Sequence, residues 1–418
     1  MPTKKAKGRF VFDTLRAHAD RTQAPIQELL RRSGVGFRSH WIVNLITVAQ
    51  GDGALVRTLA SRPDVVRIDV NDRVRSSVLD KEAVRTEPGT PEGITWNVRK
   101  VKAPEVWGHG FTGQGVVVGS IDAGFQWNHP ALQAHYRGWN GSAADHNYNW
   151  YDETDPSNRA PVDPNGHGTA TVGIMIGGDG GMHRIGVAPG AKWMGCRAMD
   201  IDGFGTPDTY IGCLEFMVAP FDLDGSNPDP AKAPDVISNS WFCSISAGEC
   251  PDQSILLPAV QDVRAAGIVP VVAAGNSGPT CSSIGVDGPP AQYDESFTVG
   301  ATTNENGLAT FSSRGPAMFQ GTRIKPDIVA PGQDVRTSWP PSVYTVVSGT
   351  SISAPHIAGV IALVYSAKPS LIGDVDATER LLASTSVHIP SSSCGSSGSF
   401  PNNLFGYGFV NAARAAIP

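Results

Sequence analysis

Four short segments carry side chains suited to acyl-transfer chemistry. Asp122 follows the apolar run Val116-Val-Val-Gly-Ser-Ile121 and is followed by Ala123 and Gly124. His167 sits between two glycines in Asn165-Gly-His-Gly-Thr169. Ser351 lies in Ser348-Gly-Thr-Ser-Ile-Ser-Ala-Pro-His356, and Asn276 closes Val271-Val-Ala-Ala-Gly-Asn276. A carboxylate, an imidazole, a hydroxyl and a side-chain amide are the groups that orient a base, take a proton, attack a carbonyl and hold an oxyanion. Each also has a plainer reading. An Asp at a strand end is commonly a turn or cap residue, and a Gly-flanked His can be a core or capping group. A Ser before an apolar helix is normally an N-cap, and an Asn after Gly serves turn geometry.

The elements around them are those of an α/β protein. Strand-like runs at Val116–Ile121, Lys192–Met199, Val236–Ser240 and Val269–Ala274 alternate with helix-like runs. The helices are expected at His167–Ile176, Asp208–Met217, Ile255–Ala266, Ser351–Ser366 and Asp376–Ala383. Repeated βαβ units imply a mostly parallel sheet covered by helices on both faces. Functional residues then gather at the carboxyl ends of the strands, where Asp122 stands. A helix that starts at Ser351 would offer its unpaired N–H groups and positive dipole end to a developing oxyanion.

A smaller α+β unit precedes this body. A helix is expected over 22–33, a strand over Trp41–Thr47, a helix over Asp52–Ser61 and a strand over Asp64–Val70. Residues 76–95 are polar and contain Gly and Pro, which reads as a linker. Through Glu87 the chain holds 16 Lys+Arg and 10 Asp+Glu, a net +6; the remainder holds 17 and 29, a net −12. Opposite charges favour mutual attraction of the two parts. An acidic body does not suggest nucleic-acid binding there, which would need a basic face. The 418 residues contain no run of about 18 apolar residues, so no membrane span is expected. Met1–Asp20 has a basic start but no apolar core, so no secretory signal is visible.

The six cysteines include no C-x-x-C pair, which argues against zinc and thioredoxin chemistry. An even, scattered set fits disulfides made in an oxidising compartment, with Cys243 and Cys250 bracketing a short loop as the simplest pair.

Taken together, Asp-x-Gly at 122–124, His-Gly-Thr at 167–169 and Gly-Thr-Ser-x-x-x-Pro-His at 349–356 resemble the subtilisin-like serine peptidases, and the chain order Asp, His, Ser is theirs. Gly186–Gly190, Phe311–Pro316 and Lys325–Gly332 also match. Ile121–Leu132 and Ser238–Trp241 are most similar to the bacillopeptidase F branch, and residues 1–80 resemble the inhibitory I9-type propeptide of such enzymes.

The resemblance implies a three-layer fold with a mostly parallel sheet over 96–418, a ferredoxin-like propeptide over 1–80 and a linker with the maturation site over 81–95. It implies a secreted monomeric endopeptidase, made as a zymogen, acting on proteins and peptides with Asp122, His167, Ser351 and Asn276. Substrate would pair with the edges at Asp202-Gly203-Phe-Gly205 and at Ser238–Phe242, with Ser240 and Phe242 lining the site.

No cofactor enters this chemistry. Structural calcium is common in the family, with Asp222–Asp229 or Gly177–Gly186 as the loops to inspect. Three departures bear on rate or specificity: Ala170 where another His is usual, Ala123 where a hydroxyl is usual, and Phe242 where Gly is common. The residues alone leave open a non-catalytic relative, an esterase with the same triad, and a cytosolic maturation protease.

Overall fold

The computed structural model describes residues 3–75, 85–86, 93–245, 250, 252–281, 286, 288–319 and 321–417. Seven parallel strands form the central sheet, in the spatial order Ile328–Pro331, Phe297–Thr302, Val269–Ala273, Val236–Asn239, Val117–Asp122, Lys192–Arg197, Trp150–Asp152. The four expected strands are all in it. Trp150–Asp152, Phe297–Thr302 and Ile328–Pro331 are additions, too short or too mixed to stand out by periodicity.

Both faces of the sheet are covered, so its strands are buried almost throughout. The period of two decides which side chain meets which layer. Val118 lies in the cluster that holds the helices His167–Ile176 and Thr350–Ala367. Ile121 lies in the opposite cluster, with Pro207–Val218 and Leu257–Ala265. Asp122 shares parity with Val118, so its carboxylate falls on the layer of the His167 and Ser351 helices. The helix Thr350–Ala367 is long and apolar enough to cross a membrane, yet 89% of that stretch is buried in the core.

The N-terminal unit is α+β, and its detail differs from expectation in three places. A ferredoxin-like unit runs β-α-β-β-α-β; among the described residues this one runs helix, strand, strand, helix, strand, with a two-stranded sheet of its own and its last strand, Val74–Arg75, paired with the body. The first helix spans Lys4–Arg32 rather than 22–33. Thr3 caps it by accepting from the Ala6 N–H, and Lys4 and Lys7 reach the body through Asp235 and the Gly373 carbonyl. Pro25 sits inside it without ending it.

The expected strand Trp41–Thr47 is instead a hairpin of Phe37–His40 with Leu45–Val48. Trp41 and Ile42 form its buried turn, and both of their N–H groups point at the Glu215 carboxylate. Asp64–Val70 forms no strand. Val66, Ile68 and Val70 stay exposed, because the segment meets no pairing partner. The helix at Gly53–Ala60, capped by Asp52, is as expected.

Most of the linker, 76–84 and 87–92, lies outside the described residues. Before and after 76–84 the chain adds strands to the body. Val74–Arg75 pairs antiparallel with Phe204–Gly205, and Arg85–Thr86 with the hairpin strand Val343–Val347.

Candidate active site

Asp122 stands at the carboxyl end of its strand and His167 is the first residue of its helix. Two glycines allow them to meet. A Cβ on Gly168 would lie 2.0 Å from the Gly124 carbonyl oxygen and 3.0 Å from the Asp122 Cβ. Gly124 itself has φ +130° and no room for a side chain against Val162. With that clearance, His167 Nδ1 comes 2.7 Å from Asp122 Oδ1.

A carboxylate only accepts, so Nδ1 carries the proton and Nε2 presents its lone pair. The Ala123 N–H donates to Oδ1 at 2.7 Å, and the Thr171 hydroxyl is shared between Oδ2 at 3.2 Å and the Gly168 carbonyl oxygen at 3.0 Å. The hydroxyl missing at Ala123 is thus supplied by Thr171, one helical turn beyond His167. Its place one turn beyond His167 is legible in the sequence; the reach of its hydroxyl to Asp122, 49 positions away, is not.

Asp163 was also missed. Its carboxylate accepts from the N–H groups of Asn165, Gly166 and Thr169 and from the Thr169 hydroxyl, so it shapes the loop that delivers His167. Desolvation raises its pKa against these hydrogen bonds, and Asp122 adds to the rise.

Ser351 is the second residue of the helix Thr350–Ala367 and is 2% exposed. Its hydroxyl and His167 Nε2 are both buried without a hydrogen-bond partner. A proton acceptor and a hydroxyl are therefore held unspent on two helices of one layer. The strand Val269–Ala273 leads to Gly275 and Asn276, and that turn is tied to the same helix. The Gly275 N–H donates to the Thr350 hydroxyl at 3.1 Å, and Asn276 Oδ1 accepts from the Thr350 N–H and hydroxyl. With Oδ1 so engaged, the Asn276 NH2 is the end left to donate.

The four residues expected to bind substrate fall in two places. Gly203 precedes and Gly205 ends the two-residue strand Phe204–Gly205, with which Val74–Arg75 pairs; a Cβ on Gly205 would lie 2.6 Å from the Ala198 carbonyl oxygen. Ser240 is buried, with its hydroxyl 3.4 Å from that of Ser238. Phe242 is buried against Gly275, whose Cβ would lie 3.4 Å from the ring, so it forms a wall beside Asn276. Val74 is buried, and a cavity of about 210 Å³ beside it is lined by Ile68, Val70, Tyr210, Trp241 and Leu256 among others.

In the two loops named for calcium, carboxylate oxygens accept hydrogen bonds from their own turns. Asp222 Oδ1 accepts the N–H groups of Asp224 and Ser226, and Oδ2 accepts from Asn227. Asp179 Oδ1 accepts those of Gly181 and His183. Among the described residues no three His, Cys, Asp or Glu side chains gather as a metal set.

All six cysteines are paired: Cys196–Cys213, Cys243–Cys250 and Cys281–Cys394. The short-loop pair is the one expected.

The subtilase family model matches residues 113–408. Bacillopeptidase F of Bacillus subtilis (strain 168) is 36% identical over 433 aligned residues, which take in 99% of this chain and 29% of that protein. The chain therefore spans less than a third of that relative's length. Subtilisin BL of Lederbergia lenta is 31% identical, over 78% of this chain and 99% of its own length, and Subtilisin Savinase of the same species 30%, over the same shares. With its parallel seven-stranded sheet and its matched length, this chain belongs to the subtilase family of serine peptidases.

Proposed function

We propose that this chain is a secreted serine endopeptidase, made as a zymogen, with Ser351 as nucleophile. The observation that carries the reading is the buried Asp122–His167 pair, whose Nε2 is unspent, in one layer with the unspent Ser351 hydroxyl. Ser351 Oγ attacks the scissile carbonyl while His167 Nε2 takes its proton, and His167 then returns a proton to the leaving amine. Asp122 holds the imidazole in the required tautomer and stabilises the imidazolium. The Asn276 NH2 and the Ser351 N–H hold the oxyanion. Water then cleaves the acyl-enzyme by the same steps in reverse roles. Substrates are extended segments of proteins and peptides that add a strand at Gly203–Gly205 and pass Ser240 and Phe242.

In this reading residues 1–80 are the chain's own inhibitor. Among the described residues, ion pairs between the unit and the body put a base on the unit and an acid on the body, among them Lys4–Asp235, Arg9–Asp229, Arg38–Glu153, His40–Asp208, His40–Glu215, Arg67–Asp252 and Arg73–Asp200. Val74–Arg75 takes the substrate's place on the Phe204–Gly205 edge. Cleavage within 76–95 then frees the body. Three disulfides support export.

The test is self-processing. The full chain and its Ser351→Ala variant are expressed and followed by intact mass. Loss of an N-terminal piece ending within 76–95 by the wild type alone supports nucleophile, protease and propeptide together. Two intact chains, with no labelling of Ser351 by an active-site phosphonate, would leave the protein a non-catalytic relative.

A further inference from the structure

His356 lies in the Ser351 motif but takes no part in the chemistry above. It is fully buried, and its ring has two partners. Nδ1 is 2.9 Å from the Ile352 carbonyl oxygen and Nε2 is 2.8 Å from Asn97 Nδ2. A carbonyl only accepts, so Nδ1 carries the hydrogen; Nε2 then accepts from the Asn97 amide. Burial pushes this imidazole down to about 4, against the pull of the Ile352 carbonyl. It is therefore neutral with one tautomer, and the orientation of the Asn97 amide follows from it.

The helix needs help at this point. Pro355 lies inside it and has no N–H, so the Ser351 carbonyl lacks its usual partner four residues on. The next carbonyl, Ile352, receives the His356 ring instead. Asn97 is equally buried, and its Oδ1 has no partner. A polar side chain held there with one oxygen unpaired is being used for its donor. It belongs to the short helix Trp96–Lys100, the first element after the linker, which Val98 seats in the core and Trp96 ties to the Asp334 carbonyl.

We propose that Asn97 is a positioning residue for Ser351, bracing through the His356 ring the Pro-weakened turn that presents the hydroxyl. The inference rests on the reading of Ser351 as nucleophile. It makes the segment that follows the linker part of what sets the geometry of the site.

The experiment compares Asn97→Ala and Asn97→Asp in the mature enzyme. Asn97→Ala should lower kcat about tenfold with KM within about twofold, the pattern of a lost transition-state geometry. Aspartate has the same shape but cannot donate to Nε2. It restores the brace only when His356 is protonated at both nitrogens. The ratio of kcat for Asn97→Asp over Asn97→Ala should therefore rise as pH falls from about 8 to 6.

Full kcat in Asn97→Ala, or a ratio flat with pH, overturns the proposal. Should neither variant mature, histidine-labelled NMR of the full Ser351→Ala chain decides. There His356 should stay neutral to about pH 5 with Asn97 and charge near neutrality with aspartate. An unchanged titration overturns the proposal as well. Wild-type enzyme that no active-site phosphonate labels at Ser351 instead sinks the nucleophile reading, and the NMR comparison still reports on the brace.

Discussion

Thr350 grips the Asn276 carboxamide oxygen twice, with its N–H and with its hydroxyl, both at 2.9 Å. The neighbour of the proposed nucleophile thus sets the direction of the proposed oxyanion donor. The same hydroxyl accepts from the Gly275 N–H, which locks the turn that carries Asn276.

Asn276→Ala should lower kcat by about 10²–10³ with little change in KM, as loss of one oxyanion donor does. Thr350→Val keeps the backbone grip and loses the hydroxyl, so its kcat should fall by about tenfold, less than the alanine variant. Steady-state kinetics on one peptide substrate checks both. Equal losses would mean that the Thr350 hydroxyl serves something other than aiming the amide.

Asp122→Asn should keep the fold and lower kcat by about 10⁴, because an amide that can donate to Nδ1 favours the wrong imidazole tautomer. With its NH2 turned to Nδ1, the amide oxygen still accepts from the Thr171 hydroxyl, while the Ala123 N–H loses its acceptor. Kinetics at one pH, with unchanged circular dichroism, is the check; full activity would remove Asp122 from the mechanism.

His40 gives the hold of the N-terminal unit a pH dependence. Its buried ring lies 2.6 Å from Asp208 and 3.1 Å from Glu215, with Arg38 and Glu153 beside them. Burial alone would lower its pKa. The hydrogen bonds to Asp208 and Glu215 outweigh burial and the Arg38 charge, and lift it to about 9.

A raised histidine adds stability that is complete below its unfolded pKa and lost as pH rises through the folded one, here from about 6.5 to 9. The contribution is about 3 kcal/mol. In the full Ser351→Ala chain, the stability gap to the same chain with His40→Gln should narrow by that amount between about pH 6 and 10. A gap constant with pH would show that His40 is not a charged anchor.

The Cys281–Cys394 disulfide closes a separation of 113 residues and ties the loop after Asn276 to the Ser-rich segment near the C-terminus. The bridge at Cys243–Cys250 spans only 7. Loop-closure entropy predicts that replacing both cysteines of the long bridge by serine costs about 5 kcal/mol, roughly twice the cost for the short one. Denaturant melts of the two double variants test the order.

Much of the body was legible because it is locally consistent. Buried parallel strands are continuous apolar runs, and Val117–Asp122 and Val269–Ala273 could be read directly. Gly-flanked His167 and the small-residue turn before Ser351 signal close backbone approach, which the structure uses. Ile328–Pro331 was not legible, being four residues between turns.

The N-terminal unit is the least legible part of the sequence, for a physical reason. Its hairpin turn buries Trp41 and Ile42 against a helix of the body, and its long helix is fastened by Lys4 to Asp235. Periodicity within a segment carries no information about a surface that lies elsewhere in the chain.

The sequence by itself determined the family, the α/β class, the identity of the four candidate residues and the opposite charges of the two parts. These depend on residue types at short spacing or on simple sums. Tertiary structure alone decided that Thr171 and not residue 123 supplies the hydroxyl to Asp122. It also decided that Asp163 shapes the His167 loop, that Val74–Arg75 takes the Gly205 edge, and that Asn97 reaches His356 across 259 positions of chain. Each of these is a contact between side chains or strands distant in sequence, and only the folded sheet and its two helical layers bring such partners within hydrogen-bonding reach.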